Sequence, residues 1–267
     1  MGALGVSKLW AQPEPAIATG PELKTIAASL KIPVNDLGKR YSVDIQATAT
    51  FQSGPYFYIQ SANSGIFVET YQIPDENLTG KLLRIQGTIK AGKHSNRIAL
   101  SGYEVLGPGT LPKGELQTFN EIQKGFHDSQ WLAVEGVLDE ISIANNQAWT
   151  SLVMEGGRMD FNLIPLLTDG DFKSLSRGSI VRVEGVSTVR TDERGQISSL
   201  LLQSPGFEQV TILDRQTTTF LTDPIVPLGQ LALPSNRQEN GRMNIRGTYI
   251  GTLPTLEIIL QDGTDSV

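Results

Sequence analysis

The six residues LRIQGT, from Leu83 to Thr88, are one copy of a short phrase that the chain contains five times. The copies are Val43–Thr48, Leu83–Thr88, Leu132–Val137, Val181–Val186 and Met243–Thr248. Each alternates apolar with polar side chains, a pattern typical of a strand with one buried face. Four of the copies contain a glycine, namely Gly87, Gly136, Gly185 and Gly247. Because glycine inside a strand marks a bulge or a sharp bend, the phrase predicts curved strands.

The spacing of the copies groups the chain into repeated units. Counted from Ala47 through the four glycines, the intervals are 40, 49, 49 and 62 residues. In the first unit, a hairpin over Tyr56–Glu69 follows the first phrase, and closing strands over Arg97–Tyr103 and Glu104–Leu106 follow the second. About five strands in roughly 65 residues predict a small, antiparallel barrel of the OB type.

A second unit follows the same plan. Its predicted strands are Trp131–Ile143, Trp149–Leu163 as a hairpin, Val181–Arg190, Ile197–Gln203 and Val210–Leu213. A third unit opens at Met243 and reaches its hairpin at Ile258–Gln261. The sequence therefore predicts an all-β chain of tandem five-stranded OB-like barrels joined by short helical connectors, with the last barrel incomplete. Since an incomplete barrel leaves strand edges unpaired, we expect further chain or a partner to complete it.

Segments with helical periodicity precede the first two barrels, over Pro21–Ile32 and Glu115–Phe126. A third connector, Asp214–Asn240, contains several prolines and predicts an irregular strap with a helical turn at Leu228–Leu231. The predicted division is 1–19 for a leader remnant or disordered terminus, 20–112 for the first helix and barrel, 113–214 for the second, and 215–267 for the connector and the start of the third barrel.

Composition limits the functional classes. A net charge of −6 disfavours a broadly basic nucleic-acid binder. The absence of cysteine excludes a disulfide framework and a thiolate nucleophile. No apolar run reaches the roughly 18 residues that cross a bilayer. The first 16 residues, MGALGVSKLWAQPEPA, fit either the end of a secretory leader or an unstructured terminus.

The sequence contains no recognisable catalytic motif. It has two histidines, His94 and His127, and no HExxH, Gly-x-Ser-x-Gly or phosphate-binding loop. We therefore predict a chain that is not an enzyme, with no catalytic residue, no cofactor and no bound metal. The acidic stretches Asp169–Asp171 and Asp262–Gly263 lack the ladder of a calcium loop and are interpreted as turns. Asp192–Gly195 is interpreted as a hairpin turn.

Aromatic residues on the first hairpin form the main ligand-binding hypothesis. Because side chains alternate along a strand, Phe57 and Ile59 are expected to face the core of the first barrel. Tyr56 and Tyr58 then face outward, and Phe67 on the paired strand joins them. Such a face could stack on bases or sugar rings, or it could pack on the preceding helix or the next barrel.

The most basic stretch is KAGKHSNR, Lys90 to Arg97. Its side chains could hold a phosphate or a carboxylate, or they could form a solvated hairpin tip. Trp131 is expected to anchor a core or an interdomain contact. The candidate ligand-binding residues are therefore Tyr56, Tyr58, Phe67, Lys90, Lys93, His94 and Arg97.

The repeated phrases resemble a known family. LRIQG, YIQSANSGIFVE, QWLAVEGV and VRVEGV are similar to the tandem OB-like extracytoplasmic region of many bacterial membrane-bound sensor histidine kinases and related signalling proteins. The resemblance covers about Tyr41 to Val267, and it includes no counterpart of the kinase and receiver parts. It implies a sensory or scaffolding region on the periplasmic side of a membrane. Its partners would be a small ligand or a periplasmic protein, together with neighbouring domains of a longer chain.

Three functional classes stay open. The first is a non-enzymatic sensory or partner-binding region, which would reach the membrane only through further segments. The second is a single-stranded nucleic-acid binder whose groove contains Tyr56, Tyr58, Lys90, Lys93 and Arg97, and net charge counts against it. The third, a carbohydrate-active module, needs a carboxylate pair in a cleft or an exposed tryptophan platform, and nothing in the sequence points to one.

Overall fold

The computed structural model describes residues 20–144, 147–164, 177–214, 225–231, 245–252 and 258–263. The chain divides into one unit that ends at Asp214 and a second that begins at Arg215. Within the described residues, no helix combines the length and the apolar character that a membrane span requires. The predicted leader and the acidic stretch Asp169–Asp171 lie outside these residues.

The first barrel is a closed sheet of five strands. They are β1 (Ser42–Ser53), β2 (Tyr56–Ser61), β3 (Ser64–Glu69), β4 (Lys81–Lys90) and β5 (Arg97–Pro108). The spatial order is β1-β2-β3-β5-β4, and β4 pairs again with β1. The pairing is antiparallel except between β3 and β5. The two predicted closing strands form one strand, β5, because shifts in its register with β4 let it bend without a break.

The second barrel repeats this order. Its strands are β6 (Trp131–Ala144), β7 (Gln147–Met154), β8 (Gly157–Leu163), β9 (Ile180–Thr191) and β10 (Ile197–Ser204). β6 pairs with β7 and β9, β10 pairs with β9, and β10 runs parallel to β8. A further strand, β11 (Val210–Asp214), extends the sheet at β9. The prediction of tandem OB-like barrels is therefore confirmed.

Each barrel has its own apolar core, built from alternate positions along its strands. The first core includes Val43, Ile45, Phe57, Ile59, Ile66, Leu83 and Ile85. The second includes Leu132, Val134, Leu152, Phe161, Val181, Val183 and Leu202. The predicted alternation on the first hairpin is confirmed, because Phe57 and Ile59 are both fully buried inside the barrel.

The glycines of the repeated phrase have a more specific role than curvature. The register of β4 with β5 shifts between Gln86 and Gly87, which confirms the predicted bulge there. Gly136 and Gly185 lie in regular register between β6 and β9, so that strand pair has no bulge at either glycine, and the alternative of a bend stays a prediction there. A Cβ at Gly185 would lie 2.5 Å from the carbonyl oxygen of Gln203. Glycine is thus needed there because a neighbouring backbone approaches closely.

The connectors contain shorter helices than the sequence predicted. These helices are α1 (Ile26–Leu30) and α2 (Phe119–Ile122). The residues before them pair with the first strand of the following barrel, through the bridges Leu23–Val43 and Leu116–Ala133. A residue whose backbone bonds to a strand cannot also belong to a helix, so each helix begins only after its bridge. The side chains of Thr25 and Thr118 then cap α1 and α2.

The second unit contains a two-stranded antiparallel sheet. Its strands are β12 (Thr248–Thr252) and β13 (Ile258–Gln261). Of the strand predicted at Met243–Thr248, the described residues 245–247 are not strand, and β12 begins only at Thr248. A 3₁₀ turn over Leu228–Gln230 confirms the helical turn expected in the third connector. That this unit is the start of a third barrel stays a prediction.

Candidate interdomain site

The outer face of the β2–β3 hairpin packs against the second barrel. An apolar cluster at the contact contains Phe51, Tyr58, Trp131 and Val186, of which Trp131 and Val186 belong to the second barrel. Four half-buried side chains surround it: Tyr56, Phe67, Leu111 and Ile164. Tyr58 and Trp131 are only 7% and 5% exposed. The aromatic face predicted from the first hairpin therefore forms most of one side of an interdomain contact.

Tyr58 lies at the centre of the aromatic cluster. Its ring meets Phe67 edge-on at a centroid distance of 5.3 Å and Tyr56 at 6.3 Å. These arrangements are the ones that aromatic quadrupoles favour. The Tyr58 hydroxyl accepts a hydrogen bond of 3.2 Å from the side-chain amide of Gln203 on β10. Burial raises the pKa of the Tyr58 phenol above its ordinary value, so the hydroxyl is neutral.

Trp131 is fixed by hydrogen bonds at both its backbone and its side chain. Its backbone N–H donates to Oε1 of Gln60 on β2 at 2.7 Å. Its indole N–H donates to Oε2 of Glu184 at 3.2 Å, and the same oxygen accepts from the backbone N–H of Gly114 at 2.8 Å. Glu184 therefore orients the indole, and Gln60 joins the first residue of β6 to the first barrel. Of the core and interdomain roles expected for Trp131, the structure shows the interdomain contact.

The backbone that leads into the second barrel passes close to Gly65 on β3. A Cβ there would lie 1.9 Å from the carbonyl oxygen of Ser129, so any side chain would collide with this backbone. The equivalent position on the second barrel is Arg158, because the pair Val153–Arg158 occupies the same place beside its hairpin turn as Gln60–Gly65. The second hairpin therefore has a long side chain at the position that glycine occupies in the first.

The predicted basic loop also faces the second barrel. His94 Nε2 lies 3.1 Å from the carbonyl oxygen of Gly125, and the Ser95 hydroxyl donates to Oδ2 of Asp128 at 2.6 Å. The aromatic face and this loop thus contribute to the same contact.

The four basic candidates themselves do not converge. His94 points to the connector of the second barrel, whereas Arg97 donates to Glu69 on β3 at 3.1 Å. Lys90 and Lys93 are exposed. Ligand binding by the seven predicted residues stays a prediction, although Tyr58 offers almost no free surface in this arrangement. Nδ1 of His127 lies 3.3 Å from Oε1 of Gln130.

Several contact residues carried no sequence signal. Gln203 is 145 residues from Tyr58, and Gln60 is 71 residues from Trp131. Gly65 belongs to a hairpin phrase that does not distinguish it from its neighbours, and Asp128 belongs to no motif. Pairs so distant in the chain can be recognised only when the two barrels are placed together.

A shallow cleft lies elsewhere on the second barrel, between α2, β8 and β10. Its volume is about 160 Å³, and its lining includes Phe119, Gln123, Arg158, Asp160 and residues 197–200. The Arg158 guanidinium donates to Asp139 at 3.0 Å. Within the described part of the chain, no group of three or more histidine or carboxylate side chains is placed to hold a metal ion.

Comparison with known proteins gives weak similarities. No protein-family model and no curated protein matches the chain. An OBody bound to hen egg-white lysozyme is 18% identical with a TM-score of 0.30, and the match covers 39% of this chain and 98% of the OBody.

Asparaginyl-tRNA synthetase from Pyrococcus horikoshii, complexed with asparaginyl-adenylate, is 17% identical with a TM-score of 0.31. That match covers 45% of this chain and 26% of the synthetase, so this chain spans about a quarter of the synthetase's length. Neither similarity assigns a family or a ligand to this chain.

Proposed function

We propose that this chain is a non-enzymatic binding region in the extracytoplasmic part of a bacterial signal-transduction protein. In this role the first two barrels act as one rigid body, which binds a small ligand or a periplasmic protein and passes the effect to neighbouring domains. The observation that carries the proposal is the interdomain contact built around Tyr58 and Trp131. The resemblance of the strand phrases to sensor regions supports it as well.

Rigidity matters because domains in one chain usually move relative to each other unless their interface is large and hydrophobic. Here the buried cluster contains three aromatic side chains, Phe51, Tyr58 and Trp131. Two hydrogen bonds also join the domains, from Gln203 to Tyr58 and from Ser95 to Asp128. A body held in this way can change its orientation as a whole when a ligand binds to one barrel. If the two barrels were linked flexibly, a change in the orientation of one barrel would not be passed to the other.

The location is tested by reporter fusions to the natural gene product. Alkaline phosphatase fused after Val267 is expected to be active in bacteria, because the enzyme matures only outside the cytoplasm. Green fluorescent protein fused at the same position serves as the reciprocal control and is expected to be dark when exported unfolded. A fluorescent fusion together with an inactive phosphatase would overturn the extracytoplasmic assignment.

Binding is tested by thermal unfolding of the full chain with a panel of small molecules and a single-stranded oligonucleotide. A ligand present at about 100 times its Kd raises the free energy of unfolding by roughly 2.7 kcal/mol, which is a measurable shift in Tm. We expect at least one small molecule to stabilise the chain and the oligonucleotide to have no effect. Oligonucleotide binding that weakens steeply with salt would instead favour the nucleic-acid alternative.

A further inference from the structure

Three consecutive residues of the loop between β4 and β5 contact two different parts of the molecule. His94 contacts the carbonyl of Gly125 in the connector after α2. Ser95 donates to Asp128, which precedes β6. Asn96 points in the opposite direction, toward the end of α1. The loop therefore lies between the connector that leads into the first barrel and the connector that leads into the second.

The contact with α1 is made by a buried amide. Asn96 is 6% exposed, and its Nδ2 donates to the carbonyl oxygens of Ser29 at 3.0 Å and Ile32 at 2.9 Å. These carbonyls lie at the end of α1, where a helix leaves acceptors without internal partners. Because both bonds come from one planar group, a displacement of the end of α1 must move Asn96 or break its bonds.

The contact with the second barrel is made through one carboxylate. Oδ2 of Asp128 accepts from the Ser95 hydroxyl at 2.6 Å, and Oδ1 accepts from the backbone N–H of Val189 on β9 at 3.0 Å. Hydrogen bonds to an ionised acceptor are the stronger kind. A shift of Ser95 therefore acts on β9 through Asp128, without passing through the aromatic cluster.

We propose that the loop from Gly92 to Asn96 couples the position of α1 to the orientation of the second barrel. The coupling runs from the α1 carbonyls through Asn96 and Ser95 to Asp128 and β9. This inference goes beyond the proposed function and holds whether or not the chain belongs to a signalling protein. It assigns the basic loop a mechanical role that does not require a bound anion.

The test follows amide hydrogen exchange at Val189 in the full chain, measured by NMR. Asn96→Ala removes both bonds to α1 and leaves the side chains of Ser95 and Asp128 in place. We expect amide exchange at Val189 to accelerate about fivefold. This change corresponds to the loss of one typical hydrogen bond, here the bond from the Val189 N–H to Asp128. Asn77→Ala is the matched control, because Asn77 accepts a hydrogen bond only within its own loop, from Thr79 at 3.0 Å.

A second variant perturbs α1 without touching the loop. Thr25→Ala removes the hydroxyl that accepts from the Ala28 N–H at 3.2 Å and so frays α1 at its other end. We again expect faster exchange at Val189. This variant keeps the proposal testable if Asn96→Ala fails to fold.

A double variant identifies the route. α1 also packs against β3, which itself contacts the second barrel, so a signal could bypass the loop. If the loop carries the coupling, Thr25→Ala has little further effect on Val189 once Ser95→Ala has cut the loop's bond to Asp128. The proposal would be overturned if Thr25→Ala accelerated exchange at Val189 equally in the parent chain and in the Ser95→Ala variant. Unchanged exchange at Val189 in both single variants would overturn it as well.

Discussion

Replacing Gly65 with alanine is expected to separate the two barrels. The added Cβ would lie 1.9 Å from the Ser129 carbonyl oxygen and 2.6 Å from its carbonyl carbon. Ordinary van der Waals contact begins near 3.4 Å, so the two backbones must move apart by about 1.5 Å, the difference between 3.4 and 1.9 Å. Neither neighbour can yield as a flexible side chain would, because both atoms belong to the backbone.

This displacement has a calculable effect on the contact. The Gln60–Trp131 bond, now 2.7 Å long, would stretch to about 4 Å, beyond hydrogen-bonding range. The Gln203–Tyr58 bond, already 3.2 Å long, would also break. Two lost hydrogen bonds at about 1 kcal/mol each, together with some loss of packing, would lower the free energy of unfolding by about 2–4 kcal/mol. For a unit of this size that corresponds to roughly 5–15 °C in Tm.

The assay is urea-induced unfolding followed by tryptophan fluorescence, with thermal unfolding in parallel. Trp131 lies in the contact and is expected to shift its emission to longer wavelength in the variant, because water reaches the indole. Gly102→Ala is the matched control, since it also adds a methyl group to a strand of the first barrel. A Cβ at Gly102 has no heavy atom within 4 Å, so we expect nearly unchanged stability.

An unchanged free energy of unfolding and an unchanged emission maximum in Gly65→Ala would contradict the expected separation of the barrels. That result would mean that the barrels do not approach at Gly65 as closely as described. Equal destabilisation by both variants would show that the strands respond to alanine itself and that the contact is not involved. A loss confined to Gly65→Ala, with the red shift, supports the close approach.

Further substitutions test other parts of the structure. Trp131→Ala is expected to lower the free energy of unfolding, measured in urea, by about 3–5 kcal/mol. Trp149→Ala should lower it clearly less, because the Trp149 side chain is 38% exposed. Equal losses of stability in the two variants would contradict the role of Trp131 as an anchor. Thr118→Ala removes the hydroxyl that caps α2 by accepting a hydrogen bond from the Glu121 N–H. The variant should lower the free energy of unfolding by about 1 kcal/mol. An unchanged midpoint of urea unfolding would contradict the stabilising role of the cap. Arg84 donates to Asp44 at 2.8 Å and holds the pKa of that carboxyl well below its ordinary value. Because the pKa of Asp44 is lower in the folded chain than in the unfolded chain, the ion pair adds stability above the unfolded pKa of about 3.9. This stability is lost as the pH falls toward the folded pKa. Arg84→Gln should therefore lower the free energy of unfolding at pH 7. The difference in this free energy between variant and parent should shrink below roughly pH 4. A difference that does not change with pH would refute the contribution of the ion pair.

Much of the fold could be predicted from the sequence because strand structure is encoded locally. The hairpin predicted over Tyr56–Glu69 has those bounds in the structure, as the outer ends of β2 and β3. The helices were overpredicted because Leu23 and Leu116 fit a helical stripe and yet pair with strands. Apolar periodicity records which side chains are buried, and it does not record whether the backbone bonds to itself or to a neighbouring strand.

The candidate site was predictable only in part. Alternation placed Tyr56, Tyr58 and Phe67 outside the first barrel, and the structure agrees. The sequence left open whether a ligand, a helix or the next barrel would cover them. Tyr58 is covered by the second barrel, and the partners that bind it there, such as Gln203, are polar residues with no local pattern.

The sequence by itself determined the repeated strands, the five-stranded barrels and the outward direction of the aromatic side chains. These follow from the period of two and from the limited reach of a short hairpin, which are properties of neighbouring residues. Only the tertiary structure decided that the aromatic face is an interdomain contact and that the basic loop joins α1 to the second barrel. Those contacts join residues far apart in the chain, and their stability depends on how two complete surfaces fit, down to the missing side chain at Gly65.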